Sequence, residues 1–279
     1  MIVDKPGLYA IEESLYHRDS QLAPRLGRSL SVSGAKTLLR SPARFAYERE
    51  NGRPPKDAFD LGTVIHALTL RGGDNRIRIY DAYDWRSKPS QQWRERVREA
   101  GIIPANRADL LKASKVSQAV RRDKLAGAIL SAGKPEISAY AIEPDTGITL
   151  RARFDWLRHG TTHDCIADLK TVGREGGSHP DTFGRQAANL DYPMQAWHYR
   201  YVFWLLTGDW LPFYTIAVET EHPHWVSVGQ YDQADLDAAE AKCREAYRIY
   251  AERESSGEWA DEPQIVTYPI PTWYARSAS

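Results

Sequence analysis

The sequence predicts an α/β protein with a central mixed β-sheet flanked by helices. Helix-type patterns come first, a block of three β-type runs follows, and a helix, two further strands and a long helix come after it. The three runs lie within residues 135–172 and are separated by the turn-like stretches PDTG and HGTTH, which predicts an antiparallel meander. The chain has no evident linker. We therefore expect one domain over residues 1–279, with an N-terminal extension over 1–30 and an extended tail over 263–279.

The segments before the meander are mostly helical. Serines in SLSVSGAKTLL are candidates for a helix N-cap, and Pro42 ends or kinks this helix before a second one, PARFAYERE. Residues 61–70, LGTVIHALTL, predict a buried helix with His66 on an apolar face. A short strand in RIRIYDAYDW, the amphipathic helix SQQWRERVREAG, and one or two helices between Asn106 and Gly133 follow.

The segments after the meander return to helix and then to strand. Residues 179–208 predict helix with a rich apolar and aromatic stripe, and residues 210–220 and 224–231 predict two strands. Residues 232–259 predict an amphipathic helix. Together with the meander, these elements predict the mixed sheet.

Composition excludes several classes of protein. Lys plus Arg equals Asp plus Glu at 37 each, so the net charge of zero gives no sign of nucleic-acid binding and any basic surface must be local. No apolar run approaches the length of a membrane span, and the acidic N-terminus does not resemble a signal peptide, so we expect a cytoplasmic protein. The two cysteines cannot build a four-cysteine zinc or iron–sulfur site.

The stretch DCIADLKTV places charges in an apolar strand. Asp168 and Lys170 stand at i and i+2 and so share a face, while Asp155 lies on the opposite arm of the same predicted hairpin. Facing carboxylates repel unless a cation lies between them, and Mg²⁺ or Mn²⁺ suits such oxygen ligands. Glu136 could add a third carboxylate, and Lys170 could orient or deprotonate a water molecule. A divalent cation, an oriented water molecule and an ammonium group together are suited to hydrolysing a phosphodiester. A lone D-x-K in a strand is, however, usually a solvated face or a salt bridge.

Five stretches occur in a definite order, namely LGTVIH (61–66), Glu136, DTGITLRARFDWL (145–157), IADLKT (166–171) and YPMQAWHY (192–199). Together they resemble the PD-(D/E)xK nuclease superfamily, and most of all the RecE, or exonuclease VIII, type of phage recombination exonuclease within the RecB and lambda-exonuclease group. The family pattern is G-x-x-x-H, an acidic strand, D, D-x-K and Q-x-x-x-Y. Phe154 stands where the superfamily name has proline, a common replacement. The resemblance implies a restriction-endonuclease-like core.

The resemblance also implies residue roles. It implies that Asp155 and Asp168 are metal ligands with the Leu169 carbonyl, that Lys170 positions the attacking water, and that His66 approaches the metal. Glu136 is similar to an acidic residue that assists a second metal. The alternatives are a satisfied core histidine for His66 and an exposed strand-start glutamate for Glu136.

Four further residues are candidates for contact with DNA. Gln195 and Tyr199 share one helix face at i and i+4, and the resemblance implies that this helix braces the site and touches the DNA backbone, although simple packing explains it too. Arg151 and Arg153 share a strand face with Asp155 and could hold a phosphate, although surface solubility explains them nearly as well.

The resemblance implies a Mg²⁺-dependent 5′→3′ exonuclease on double-stranded DNA ends, which makes 3′ single-stranded tails for an annealing protein or recombinase in a phage or prophage. Relatives form rings, so a trimer or tetramer is expected. The chain lacks the four cysteines of iron–sulfur relatives, and it has no P-loop for ATP. The alternatives are an endonuclease or nickase on the same fold, and a catalytically silent DNA-binding subunit.

Overall fold

The fold comes from a computed structural model that describes residues 3–16, 26–52, 57–74, 76–173, 177–262, 265 and 267–268; the side chains of residues 14 and 57–60 are not described. The predicted tail over 263–279 lies almost entirely outside these residues. The division into one domain, an extension and a tail stays a prediction.

Nine strands and ten helices are found in the described part of the chain. The strands are β1 (Gly7–Tyr9), β2 (Ser29–Ser31), β3 (Ile77–Tyr80), β4 (Ile103–Asn106), β5 (Lys134–Ile142), β6 (Thr149–Arg158), β7 (Cys165–Val172), β8 (Phe213–Glu219) and β9 (Val226–Gly229). The helices are α1 (Glu13–Tyr16), α2 (Val32–Arg40), α3 (Pro42–Asn51), α4 (Asp57–Arg71), α5 (Lys88–Glu99), α6 (Arg107–Arg122), α7 (Lys124–Ile129), α8 (Pro180–Asn189), α9 (Tyr192–Thr207) and α10 (Gln233–Ser256).

The main sheet has seven strands in the order β1-β5-β6-β7-β8-β9, and β2 pairs with β6 beside this path. The pairs β5–β6 and β6–β7 are antiparallel, so the predicted meander is confirmed. The pairs β7–β8 and β2–β6 are parallel, which makes the sheet mixed. The predicted fold class is therefore confirmed.

Helices cover both faces of the sheet. On one face α2, α9 and α10 bury a large cluster with β5 and β6, and Leu150 and Phe154 are fully buried there. On the other face α4 and α6 pack over β7 and β8 around Val64 and Leu169. Alternate residues of β6 up to Phe154 face the first cluster, but Trp156, two residues further on, lies in the second cluster. The set of β6 residues that faces the first cluster therefore changes at Asp155.

The helix ends follow the local signals in the sequence. Ser31 caps α2 through its side chain, and Ser41 caps α3, whose first residue is Pro42, as predicted. The segment after Asn106 forms two helices, because Asp123 ends α6 and caps α7. The segment 179–208 also forms two helices, and Asp191 between them has a left-handed backbone with a φ of 53°.

Three strands were not predicted, namely β1, β2 and β4. Each has only three or four residues, too few to display the alternation that identifies a strand. β4 pairs in parallel with β3 to form a separate two-stranded sheet against α4, α5 and α6. In the described residues, no helix combines the length and the apolar character needed to cross a bilayer.

Candidate active site

The site lies where the main sheet forks. Along one edge β6 pairs with β5, and along the other edge it pairs with β2 at residues 149–151 and with β7 at residues 156–158. On that edge of β6, Asp155 therefore lies in the gap between the residues that pair with β2 and those that pair with β7. Where a ladder is interrupted, backbone donors need other acceptors. The Asp155 carboxylate fills this need, because its Oδ2 accepts a hydrogen bond of 2.8 Å from the Leu169 N–H.

The pairing of β6 with β5, on its other edge, is also interrupted at Asp155. The register pairs Pro135 with Trp156 and Ile137 with Phe154, and it skips the Glu136 position opposite Asp155. Glu136 has a φ of 56°, a conformation that costs free energy in a non-glycine residue and tends to occur at functional sites. A carboxylate thus flanks Asp155 on this edge as well.

Burial and like charges perturb Asp155. Burial raises the pKa of Asp155 well above its ordinary value, and the neighbouring carboxylates of Asp168 and Glu136 add to the rise. The imidazole Nδ1 of His66, on α4, lies 3.4 Å from Asp155 Oδ2. Burial lowers the pKa of His66, which favours the neutral imidazole that metals bind. The predicted proximity of these residues is found.

Asp168, Lys170 and Gln195 form a closed triangle of contacts. Lys170 Nζ lies 2.7 Å from Asp168 Oδ2 and donates to Gln195 Oε1 at 2.9 Å, while Gln195 Nε2 donates to Asp168 Oδ1 at 2.6 Å. Burial alone would lower the pKa of Lys170, but the carboxylates of Asp168 and Asp155 outweigh it and raise the pKa above its ordinary value. Lys170 is therefore an ammonium ion held in one place.

Gln195 and Tyr199 lie on the inward face of α9. Gln195 is 9% exposed and Tyr199 is 8% exposed, and the Tyr199 ring packs edge-on against Phe154 with 5.4 Å between ring centroids. Burial raises the pKa of the Tyr199 hydroxyl well above its ordinary value, and the nearby Gln195 side chain opposes this rise. These contacts support the bracing role. The predicted contact of this pair with the DNA backbone stays a prediction.

Arg151 and Arg153 share the face of β6 that carries Asp155, but both guanidinium groups make contacts inside the protein. Arg153 donates to Glu136 Oε2 at 2.7 Å, to Ser138 Oγ at 2.7 Å and to the Ile11 carbonyl at 3.0 Å. Arg151 donates to Ser29 Oγ at 3.1 Å. Arg153 thus holds Glu136 at the site, while the predicted phosphate contacts of the two arginines stay predictions.

Sequence reasoning missed two residues at the site, Lys36 on α2 and Tyr192 at the start of α9. Lys170 Nζ lies 4.6 Å from the centroid of the Tyr192 ring, and Lys36 Nζ lies 5.7 Å from it. Burial and the Lys170 ammonium lower the pKa of Lys36 to about 8. In the sequence, a helical lysine that lies in a site looks the same as a helical lysine that faces solvent. Only the tertiary structure therefore identifies Lys36 as a site residue. Tyr192 stands in the quoted YPMQAWHY stretch without a distinguishing signal.

The donors at the fork fit a hard divalent cation by their chemistry. Carboxylates of Asp155 and Asp168, the Leu169 carbonyl and the neutral His66 ring are ligand types that Mg²⁺ or Mn²⁺ accepts. The buried Oδ2 of Asp168 has an ion pair with Lys170 but no well-directed hydrogen bond. Among the described residues, no three His, Cys, Asp or Glu side chains are gathered closely enough to form a metal cluster unaided. Binding a cation would therefore require these side chains to adjust.

This mixed sheet, with D and D-x-K on neighbouring central strands, defines a protein of the PD-(D/E)xK nuclease class. The chain belongs to the family described as a PDDEXK-like domain of unknown function (DUF3799), whose profile matches residues 31–268. The resemblance noted from the sequence is thereby confirmed, as is the assignment to nuclease enzymes.

Two solved structures are similar to this chain. The first, named "Putative exonuclease", is from Eubacterium rectale; it is 16% identical with a TM-score of 0.61, over 97% of this chain and 100% of that one. This likeness supports the fold alone. The second, a phage related exonuclease from Haemophilus somnus 129PT, is 16% identical with a TM-score of 0.36, over 82% of this chain and 96% of that one, which is too weak to add to the argument. A comparison with curated proteins finds no match.

Proposed function

We propose that this chain is a Mg²⁺-dependent deoxyribonuclease, and that it degrades double-stranded DNA from its ends in the 5′→3′ direction to leave 3′ single-stranded tails. The observation that carries the proposal is the fork at Asp155, where two carboxylates, an ammonium and an amide converge in a protein of nuclease class. Burying like charges together is costly, so a site that retains them favours a function that uses them.

The cation would be held by Asp155, Asp168 and the Leu169 carbonyl, with His66 beside them and Glu136 assisting a second ion. When bound, Mg²⁺ polarises the scissile phosphate and makes a bound water more acidic; Mn²⁺ would suit the same donors. The donation from the Leu169 N–H fixes the Asp155 carboxylate before any cation arrives. Such preorganised donors are what a phosphodiesterase needs.

Lys170 would orient the attacking water and stabilise negative charge on the phosphate. Its raised pKa keeps it an ammonium, so in this arrangement it acts as a hydrogen-bond donor rather than as a base. Gln195 fixes the position of the ammonium through its Oε1, and Asp168 anchors its other side. Lys36 places a second positive charge across the Tyr192 ring, where it would attract DNA phosphate.

The finer features of the proposal rest on the resemblance to RecE-type exonucleases. These features are the polarity, a single-strand annealing protein or recombinase as partner, a ring of three or four copies, and a phage or prophage origin in the bacterial cytoplasm. Within a ring, the neutral chain would need only a local basic surface to line a channel.

The test is digestion of linear duplex DNA, labelled separately at its 5′ and 3′ ends, with Mg²⁺ and with EDTA. We expect Mg²⁺-dependent release of the 5′ label first, and its loss in Asp168→Asn. The matched control is Asp145→Asn, which changes an exposed aspartate (78% exposed) in the turn between β5 and β6 and should leave cleavage unchanged.

Each alternative has its own outcome. Nicking of a closed circle together with cleavage of end-blocked linear DNA would favour the endonuclease or nickase. DNA binding without cleavage under any metal condition would favour the silent DNA-binding subunit. Full cleavage by a folded Asp168→Asn variant would refute the assignment of the site.

A further inference from the structure

A positively charged lobe lies between α4 and α6. We define the lobe as residues 76–107, which contain β3, α5 and β4. It holds eight Arg or Lys and four Asp or Glu, a net charge of +4 in a chain whose net charge is zero. The rest of the chain therefore carries −4. Such a local basic surface is the electrostatic footprint of a polyanion-binding site.

The lobe is also rich in aromatic side chains. The rings of Trp85 and Trp93 are nearly parallel, with 6.1 Å between centroids and 16° between planes, and Tyr80 lies 5.1 Å from Trp93. The Arg94 guanidinium lies 5.0 Å from the Trp85 centroid, and Trp85 Nε1 donates to Asp109 Oδ2 at 3.0 Å. The three rings thus form one contact cluster, which includes Tyr80 at the end of β3.

Core packing does not explain the residues on the outside of the lobe. Tyr83 is 65% exposed. The side chain of Arg86 is 90% exposed, and its Nε lies 3.6 Å from Oδ2 of the exposed Asp84. Tyr83 and Arg86 lie in the turn region between β3 and α5, beside Trp85. An exposed aromatic ring and an exposed guanidinium three residues apart, on a segment with an excess of basic side chains, can stack a base and hold its phosphate.

The lobe follows α4, the helix that carries His66, and its strand β4 packs against that helix. His66 is five residues before the end of α4 at Arg71, about 7.5 Å at 1.5 Å per helical residue. A cavity of about 340 Å³ is lined by Arg71, at the end of α4, together with the site residues Glu136 and Arg153. In addition, Arg76 of the lobe donates to Glu13 Oε2 of α1 at 3.1 Å.

We propose that this lobe binds single-stranded DNA, with Tyr83 as the stacking residue and Arg86 as a phosphate contact. The proposal rests on the proposed function, because a nuclease acting at DNA ends produces an unpaired strand beside its site. Duplex DNA fits the surface less well, since its bases are already stacked on one another and offer no free face to Tyr83. Exposed rings with flanking arginines suit unpaired bases of any sequence.

The test measures binding of the full-length protein to fluorescent oligodeoxythymidine and to a duplex of equal length, with EDTA present to prevent cleavage. We expect Tyr83→Ala to weaken single-strand binding by about fivefold or more, because stacking contributes about 1 kcal/mol or more per base. Tyr83→Phe keeps the ring and is expected to bind as the unchanged protein does. Tyr83 is exposed, so thermal unfolding should be unaltered in both variants.

A second variant tests the charge. Arg86→Gln is expected to lower the slope of log K against log salt concentration by about 0.7, the value for one phosphate contact on a single strand. Arg248→Gln on α10, which also removes one exposed arginine, is the matched control and should leave the slope unchanged.

The outcomes separate the two proposals. If the unchanged protein cleaves duplex ends with Mg²⁺ but Tyr83→Ala binds oligodeoxythymidine as tightly as Tyr83→Phe does, the lobe proposal is overturned and the nuclease proposal stands. An equal loss of duplex binding in Tyr83→Ala would overturn the preference for unpaired DNA. Single-strand binding that depends on Tyr83, in a protein that cleaves no DNA, would support the lobe and refute the nuclease proposal.

Discussion

Gln195 is expected to be the residue that sets the position of the Lys170 ammonium. It bonds both members of the ion pair, with 2.6 Å from its Nε2 to Asp168 Oδ1 and 2.9 Å from Lys170 Nζ to its Oε1. The change Gln195→Met keeps a side chain of similar length and removes both polar atoms. The ion pair between Asp168 and Lys170 remains, but its geometry is no longer fixed from α9.

The magnitude follows from the two lost bonds. A hydrogen bond to a charged group contributes about 1.5–3 kcal/mol, so two contribute about 3–6 kcal/mol. Burying the apolar methionine side chain returns about 1–2 kcal/mol of this. We therefore expect the free energy of unfolding to fall by about 1–5 kcal/mol. A displacement of Lys170 by about 1 Å is expected to lower kcat about 100-fold, with a much smaller effect on KM.

Denaturant unfolding and initial rates of duplex degradation measure the two effects. Gln233→Met is the matched control, because Gln233 lies on the exposed first turn of α10 and bonds Asp237, and its loss should change stability by less than about 0.5 kcal/mol. A Gln195→Met protein with unchanged kcat would refute the reasoning, because the ammonium would then need no support from α9.

Three further outcomes are expected. Arg153→Met removes the partner of the Glu136 carboxylate, and should lower the free energy of unfolding in denaturant by about 2–4 kcal/mol. Phe154→Ala empties a fully buried site and should cost about 3–5 kcal/mol in the same assay. Burial lowers the pKa of His198 from 6.5 to about 4. As the pH drops, the unfolded chain therefore takes up a proton on this histidine before the folded protein does. The free energy of unfolding should fall between about pH 6.5 and pH 4. His198→Gln should remove on the order of 3 kcal/mol of this acid loss, and an unchanged pH profile would contradict that account.

The central strands of the main sheet were predictable because they are long and regular. β5, β6 and β7 have eight to ten residues each, bounded by turns rich in Gly, Asp and Thr, so their boundaries and antiparallel order follow from local chemistry. The parallel pairing of β2 with β6 was not predictable, because three residues, Ser29–Ser31, carry no periodic signal. A pairing between positions about 120 residues apart is decided by tertiary packing.

The proximity of the candidate site residues was predictable from the sequence, but the hydrogen bonds and ion pairs among them were not. The spacing of Asp168 and Lys170 indicated one face of a strand, and the hairpin placed Asp155 opposite. The pattern did not reveal that Arg153 binds Glu136, because an arginine on a half-buried strand looks the same whether it faces solvent or a carboxylate. Lys36 was missed for a similar reason, since its approach to Tyr192 depends on how α2 packs against α9.

The fork explains why the charged residues lie where they do. A fully paired β6 would satisfy its backbone and that of its neighbours, and would leave no opening for a phosphate or a cation between strands. By pairing with β2 at one end and with β7 at the other, β6 leaves a gap at Asp155. The Asp155 side chain then accepts a hydrogen bond from the Leu169 N–H, so the same side chain satisfies the interrupted ladder and supplies a carboxyl group to the site. A substitution such as Asp155→Ala should therefore impair both the fold and cleavage, whereas Asp155→Asn, whose amide oxygen can still accept from Leu169, should impair cleavage far more than stability.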